Sequence, residues 1–289
     1  MRTEEEMLHL ILRKAEEDEC IRAVMMNGSR VNPHVPKDQY QDYDIVYFVS
    51  EVKSFTRDHS WVGIFGKRIT MQMPDAMTLF PPDLERQGLF SYLMLFEDGN
   101  RIDLTLAPIE TANELAKQDR LSIILLDKEN LIDPLPPAED TDYLVKKPSA
   151  EELNDCANEF WWCMTNVAKG LCRKELPYAK SMMEGPVREM LLLLAMSWRV
   201  RVETHFTVSI GKFGKYLQRY TSEELWEKWL KTYADGQIDH MWEALFTSCA
   251  LFKEVSQNIA EQLGNPLEDE EKVFDYLKEL GRQSKKAEQ

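Results

Sequence analysis

The sequence predicts an α/β domain followed by an all-helical one, and three observations carry that prediction. Up to about residue 130, short runs rich in β-branched and aromatic residues stand between turn signals: Ile21 to Met26, Tyr43 to Val49, Phe90 to Phe96 and Arg101 to Leu106. From Leu131 to Pro148 the chain holds four prolines and several acids without apolar periodicity, which marks a linker with a boundary near Lys147. Beyond Ser149, apolar residues recur every three or four positions. A length of 289 residues exceeds the usual size of one core, so domains at 1–147 and 148–289 are expected.

Taken in order, Thr3 and Glu6 form a capping box for a first helix over about residues 4 to 18, with Met7, Leu10, Ile11 and Ala15 on its inner stripe. Ile21 to Met26 is the first strand, and Asn27, Gly28 and Ser29 the tight turn after it. Asn32 to Gln41 contains two prolines and reads as a loop; Tyr43 to Val49 is nearly continuously apolar after Asp44, as suits a strand buried on both faces. Between Ser50 and Gln87 the signal weakens: Trp61 to Phe65 fits a strand or a short helix, and Pro74, Pro81 and Pro82 interrupt the remainder of that stretch. Phe90 to Phe96 and Arg101 to Leu106 flank Asp98-Gly99 and form a hairpin. A short helix over Thr111 to Gln118 and a strand over Ile123 to Leu126 complete the domain.

In the second half, Ser149 with Glu152 caps a helix whose stripe is Leu153, Ala157, Phe160, Met164, Val167 and Leu171, with Gly170 as its C-cap. Pro186 is expected to start a central buried helix over Val187 to Val202. Thr221 with Glu224 opens another helix, which Gly236 closes. Ile238 to Leu263 is long and stopped by Gly264 and Pro266; Glu268 to Leu280 is the last helix, ending at Gly281 before a frayed tail.

The chemistry concentrates between Val24 and Val49. An apolar run ends in Gly28-Ser29, where a glycine lets the backbone approach a phosphate and a serine offers a hydroxyl and an amide. Thirteen residues after Ser29 come Asp42 and Asp44, which share one face of a strand. Two carboxylates side by side are costly unless a cation lies between them, and Mg²⁺, held by carboxylates and substrate phosphates, is the usual one. In the hairpin's second strand Arg101, Asp103 and Thr105 share a face, which makes Asp103 a third candidate acid. Arg30 and Lys37 lie where a loop can carry them toward phosphates.

This pattern of Gly-Ser followed by Asp-apolar-Asp-apolar resembles the signature of the nucleotidyltransferase superfamily. The fuller strings, Asn27 to Asn32, Lys37 to Gln39 and Gln41 to Ile45, together with Phe160 to Lys180, resemble the bacterial aminoglycoside 6-adenylyltransferases. The resemblance implies a nucleotidyltransferase domain with a mixed sheet, then a helical bundle that binds substrate and nucleotide. It implies transfer of AMP from Mg-ATP to a hydroxyl of an aminoglycoside, with the 6-hydroxyl of streptomycin as the expected acceptor and antibiotic resistance as the result. Asp42, Asp44 and Asp103 would hold metal, with Asp103 also acting as base. Gly28, Ser29 and Arg30 would hold the nucleotide, with Lys169 reaching its phosphates from the first C-terminal helix.

Composition agrees with these expectations. With 44% hydrophobic and 29% charged residues the chain is an ordinary globular protein. A net charge of −15 suits a cationic substrate and supplies no obvious basic groove for nucleic acid. A nucleotidyltransferase acting on tRNA or on a protein would use the same acids, and a nucleotide-binding protein without catalysis would not need three of them; both classes stay open. The longest uncharged apolar run, Met190 to Trp198, is far short of the roughly 20 residues that span a bilayer. Met1 to Glu6 is acidic where a signal peptide is basic, so a cytosolic protein is expected. Five cysteines without a Cys-x-x-Cys pair support neither disulfides nor zinc, and five scattered histidines offer no hydrolase triad. Gly211 to Lys215 lacks the spacing of a phosphate loop and reads as a turn.

Overall fold

The computed structural model describes residues 1–81, 88–267 and 270–286, apart from the side chain of Met190. The described chain divides into two compact units, Met1–Asp142 and Tyr143–Gln289.

The first unit is built on a six-stranded sheet. Its elements are α1 (Glu4–Glu17), β1 (Ile21–Asn27), β2 (Tyr43–Val49), the short α2 (Val52–Thr56), β3 (Arg68–Gln72), β4 (Phe90–Phe96), β5 (Arg101–Pro108), α3 (Ala112–Gln118) and β6 (Ser122–Asp127). The strand order is β3-β4-β5-β2-β1-β6. Among the described residues only β2 and β5 run parallel, so the sheet is mixed. The Thr3–Glu6 capping box forms as its residues dictate, an arrangement worth about 1 kcal/mol. The Tyr47 hydroxyl then ties α1 to β2 by donating to the Ile11 carbonyl at 2.6 Å.

Each face of the sheet follows the two-residue alternation of strands. On one face Val24, Met26, Ile45, Tyr47, Leu104 and Leu106 are buried with Met7 and Ile11 of α1. On the other, Ala23, Met25, Phe48 and Ala107 pack with Ala112 and Ala116 of α3.

The ambiguous stretch at Trp61 is a 3₁₀ helix, His59–Phe65, opened by the Asp58 side chain and pinned by the Trp61 indole on the Phe55 carbonyl. β3 was not legible: it is an edge strand whose Ile69 is exposed, and edge strands carry little of the alternation that a half-buried strand shows. Pro82 lies outside the described residues.

The second unit is helical: α4 (Ala150–Cys172), α5 (Leu176–Met182), a π-helical segment Met183–Leu192, α6 (Leu193–Glu203), α7 (Glu223–Leu230), α8 (Ile238–Leu263) and α9 (Glu271–Lys286). Its core joins Phe160 and Met164 of α4 to Leu245 and Phe252 of α8, with the rings of Phe160 and Phe252 stacked at 3.8 Å. Among the described residues no helix is long and apolar enough to cross a membrane.

Four expectations fail here: two glycines that read as helix stops are used for packing instead, and two predicted helix starts fall elsewhere. Gly170 is not a cap; α4 continues to Cys172, and the glycine is buried where a Cβ would come within 2.9 Å of Tyr178 and 3.1 Å of Ala179. Pro186 does not start a helix but lies inside the π-helical stretch that joins α5 to α6, where the widened turn accommodates a residue without an N–H. Ser222, not Thr221, caps α7 by accepting from the Leu225 amide, and α7 stops at Leu230, before Gly236. Gly281 does not end α9; it is buried mid-helix, with a Cβ there 2.9 Å from the Phe246 ring. The expected start of the last helix at Glu268 and the tail end 287–289 fall outside the described residues, while 282–286 are helical rather than frayed. Gly264 does end α8, in the left-handed conformation. Gly211 to Lys215 is a turn, with Gly211 and Gly214 at positive φ.

Candidate active site

The face of the sheet that packs on α3 changes character toward one end. Continuing the alternation past Met25, Val46 and Ala107 brings up Asn27, Asp44 and Asp103. The ladder places Ser122 opposite Asn27, Asn27 opposite Asp44, and Asp44 opposite Asp103. Four adjacent strands thus present a polar row, and Asp42, just before β2, belongs to the same side as Asp44.

The turn after β1 is a single 3₁₀ turn, Gly28–Arg30. Gly28 has φ +80°, and a Cβ there would sit on Oδ2 of Asp44 and 3.1 Å from its Cγ. Its glycine character is therefore demanded from within the chain, by the carboxylate beside it. The Gly28 amide donates to the Leu121 carbonyl at 3.1 Å, and the Ser29 carbonyl accepts from the Gln41 side chain at 3.1 Å.

Arg30 is buried. It donates from Nε to the Asp42 carbonyl at 3.1 Å and from Nη2 to the Gln41 carbonyl at 2.7 Å, lies 3.7 Å over the Tyr43 ring and faces Glu4 at 3.6 Å. These contacts hold the backbone that delivers Asp42. Lys37 is exposed and pairs with Glu4 at 3.0 Å.

Arg101 was visible in the sequence only as a face-mate of Asp103. Its Nε and Nη2 each reach the Asp103 carboxylate at 2.7 Å, and Nη1 lies 3.6 Å from Asp42. A bidentate guanidinium–carboxylate pair is among the stronger side-chain contacts, and here it raises the Arg101 pKa further. Among the described residues Asp44 has no such partner: burial first, then the charges of Asp103 and Asp42, push its pKa up to about 6. Burial also raises Asp42, opposed by Arg101. An all-oxygen, anionic donor set with one acid so raised suits a hard cation. Among the described residues no three acid, histidine or cysteine side chains already converge as a ligand set, and Asp103 is turned onto Arg101. Lys169, in the second unit, is exposed in the last turn of α4.

Asn27 and Ser122 are members of the row that the sequence does not single out. The alternation past Met25 was the available signal for Asn27; Ser122 needed the pairing of β6 with β1.

A mixed sheet that sets two aspartates beside a Gly-Ser turn and a third in register on the parallel neighbour defines a nucleotidyltransferase. The streptomycin adenylyltransferase family model matches residues 1–280, and the chain belongs to that family. It is 44% identical over 264 residues to an aminoglycoside 6-adenylyltransferase of Bacillus subtilis (strain 168), covering 91% of this chain and 92% of the relative. The Campylobacter jejuni enzyme of the same name is 44% identical over 279 residues, covering 96% and 95%, and that of Staphylococcus aureus 36% over 266, covering 92% and 93%. A crystal structure of an aminoglycoside 6-adenyltransferase from Bacillus subtilis, 39% identical, aligns over 97% of this chain and 99% of that one with a TM-score of 0.47.

Proposed function

We propose that this protein transfers AMP from Mg-ATP to a hydroxyl of an aminoglycoside, with the 6-hydroxyl of streptomycin as acceptor. The observation that carries the reading is the register of Asp44 against Asp103 beside the Gly28 turn, with Asp42 on the same side; family membership supplies the donor and acceptor. Bound Mg²⁺ would neutralise phosphate charge and polarise the α-phosphorus. Asp42 and Asp44 are the residues that would hold it. Asp103 accepts the proton of the attacking hydroxyl as that oxygen bonds to the α-phosphorus and the bond to the bridging oxygen breaks, releasing pyrophosphate. Gly28 and Ser29 shape the phosphate side of the site. Arg30 contributes by fixing the Asp42 backbone, since its donors already serve two carbonyls. Arg101 offsets the crowded acids until the nucleotide arrives. The charge of −15 favours a polycationic acceptor.

A panel of aminoglycosides incubated with labelled ATP tests the reading. Label on streptomycin, with pyrophosphate released, is the expected result; label on tRNA or protein and on none of the drugs overturns it.

Lys169 is proposed to contact the triphosphate. Lys169→Ala should raise KM for ATP about tenfold while leaving KM for the drug near the wild-type value, because only phosphate loses a charge partner. Unchanged ATP kinetics would return Lys169 to the solvated surface.

The raised acid predicts a pH dependence. A proton and a cation compete for Asp44, so the Mg²⁺ needed for half-maximal activity should climb as pH falls below about 6. In the metal-free protein the sign runs the other way. The folded carboxyl keeps its proton to higher pH than the unfolded one, so this group's contribution to stability is lost as pH rises from its ordinary 3.8 through about 6. A Mg²⁺ requirement flat between pH 5 and 8 (about one unit below and two above the Asp44 value) would remove Asp44 from the metal site.

A further inference from the structure

Two atoms of the polar row have no hydrogen-bond partner. Oδ1 of Asn27 and Oγ of Ser122 are both shielded from solvent, and among the described residues neither is paired. Ser122 is only 2% exposed. The two residues face each other across β1 and β6, and Asn27 faces Asp44 across β1 and β2. A buried, unpaired polar atom costs about 1–3 kcal/mol; here one belongs to the residue opposite Asp44 in the ladder and the second to the residue opposite Asn27, one strand further on.

Their chemistry limits what can satisfy them. The Asn27 oxygen only accepts, and so does an ionised carboxylate beside it. Two acceptors side by side call for a ligand that brings hydrogens to both. Water on a hard dication does this: Mg²⁺ keeps several of its waters and polarises their O–H groups outward.

We propose that Asn27 is a positioning residue of the adenylyl-transfer site: its Oδ1 accepts a hydrogen bond from a water on the cation held by Asp42 and Asp44. Ser122 extends the same strip, its hydroxyl joining the water network on the far side of Asn27. The inference rests on the metal reading above and adds to it an outer layer of ligands, which orients the inner ones.

The test uses Mn²⁺ as probe, titrated into the nucleotide-free protein with free Mn²⁺ read by electron paramagnetic resonance, alongside thermal unfolding in EDTA. Wild type and Asp44→Asn serve as references. Asn27→Ala should weaken Mn²⁺ binding about tenfold or more, the usual cost of losing an outer-layer partner. In EDTA its Tm should stay level or rise, because the substitution removes an unsatisfied acceptor and no bond. Asn27→Leu, which fills the volume without an acceptor, should behave alike and guards against a folding defect in the smaller variant. Ser122→Ala should show a smaller loss in the same direction. Wild-type Mn²⁺ affinity in both Asn27 variants, or a lower Tm in EDTA with affinity intact, would overturn the proposal while leaving the metal reading standing. Absence of Mn²⁺ binding by wild type, or undiminished binding by Asp44→Asn, would overturn both.

Discussion

Asp103→Asn should abolish AMP transfer while leaving Mg-ATP binding largely intact, whereas Asp42→Asn should damage both. Asp42 lies just before β2 and Asp44 two residues on within it, on the same side by strand alternation, with Asp44 against the Gly28 turn. Asp103 arrives from β5, level with Asp44 but from the neighbouring strand, and is bound to Arg101. If Asp103 serves as the base, replacing it by the isosteric amide removes the proton acceptor and leaves two carboxylates for the cation. The loss of turnover should exceed about 10²-fold, some 2.7 kcal/mol of barrier. Asp42→Asn should lose as much turnover and also bind nucleotide more weakly, because it strips charge from the proposed metal site. Calorimetry of Mg-ATP binding to both variants separates the roles: equal loss of nucleotide affinity reduces Asp103 to a metal ligand, and retained turnover removes it from the site. Arg101 adds a control, since Asp103→Asn frees a guanidinium that Asp42, 3.6 Å away, can attract. The calorimetric comparison should therefore include the double variant with Arg101→Gln, whose nucleotide affinity should match that of Asp103→Asn within about threefold if the freed charge stays away from phosphate.

Gly28→Ala is the other substitution expected to inactivate the enzyme, for a steric rather than an electronic reason. The added methyl would overlap Oδ2 of Asp44, and the residue would have to keep φ at +80°, which costs an L-residue about 1–2 kcal/mol by itself. The clash is relieved either by turning the Asp44 carboxylate out of its place or by shifting the turn; both displace the proposed metal-binding group from its neighbours. We expect turnover down by about 10²-fold or more and unfolding at lower temperature, with Mg-ATP binding weakened as in Asp42→Asn. Wild-type activity in Gly28→Ala would show that the Asp44 carboxylate is free to move, and would undo the close approach as a feature of the site.

The candidate residues stand out in the sequence because their pattern is local. Gly28, Ser29, Asp42 and Asp44 fall within a short stretch whose alternation assigns them to a turn and one strand face, and Asp103 sits in a strand bounded by a clear Asp-Gly hairpin. From the sequence Arg30 is a candidate phosphate contact, because a loop arginine is free by default. The fold instead tucks it back under its own loop, where two carbonyls and the Tyr43 ring enclose it. Asn27 and Ser122 were missed because a neutral polar residue at a strand end has no charge to flag it.

By itself the sequence determined most of the strands and helices, three acids as candidates for one site, and the division between a sheet-forming half and a helical half. Turn residues, two-residue alternation and helical periodicity are properties of neighbouring positions, and neighbours survive translation from chain to fold. The tertiary structure alone decided the rest. Which strands pair sets Asp103 level with Asp44 and Ser122 level with Asn27, and no local pattern records that register. Gly170 and Gly281 look like helix stops until a second helix presses a side chain against each of them; the space that their missing Cβ leaves is used by packing, and a helix with such a partner continues through its glycine.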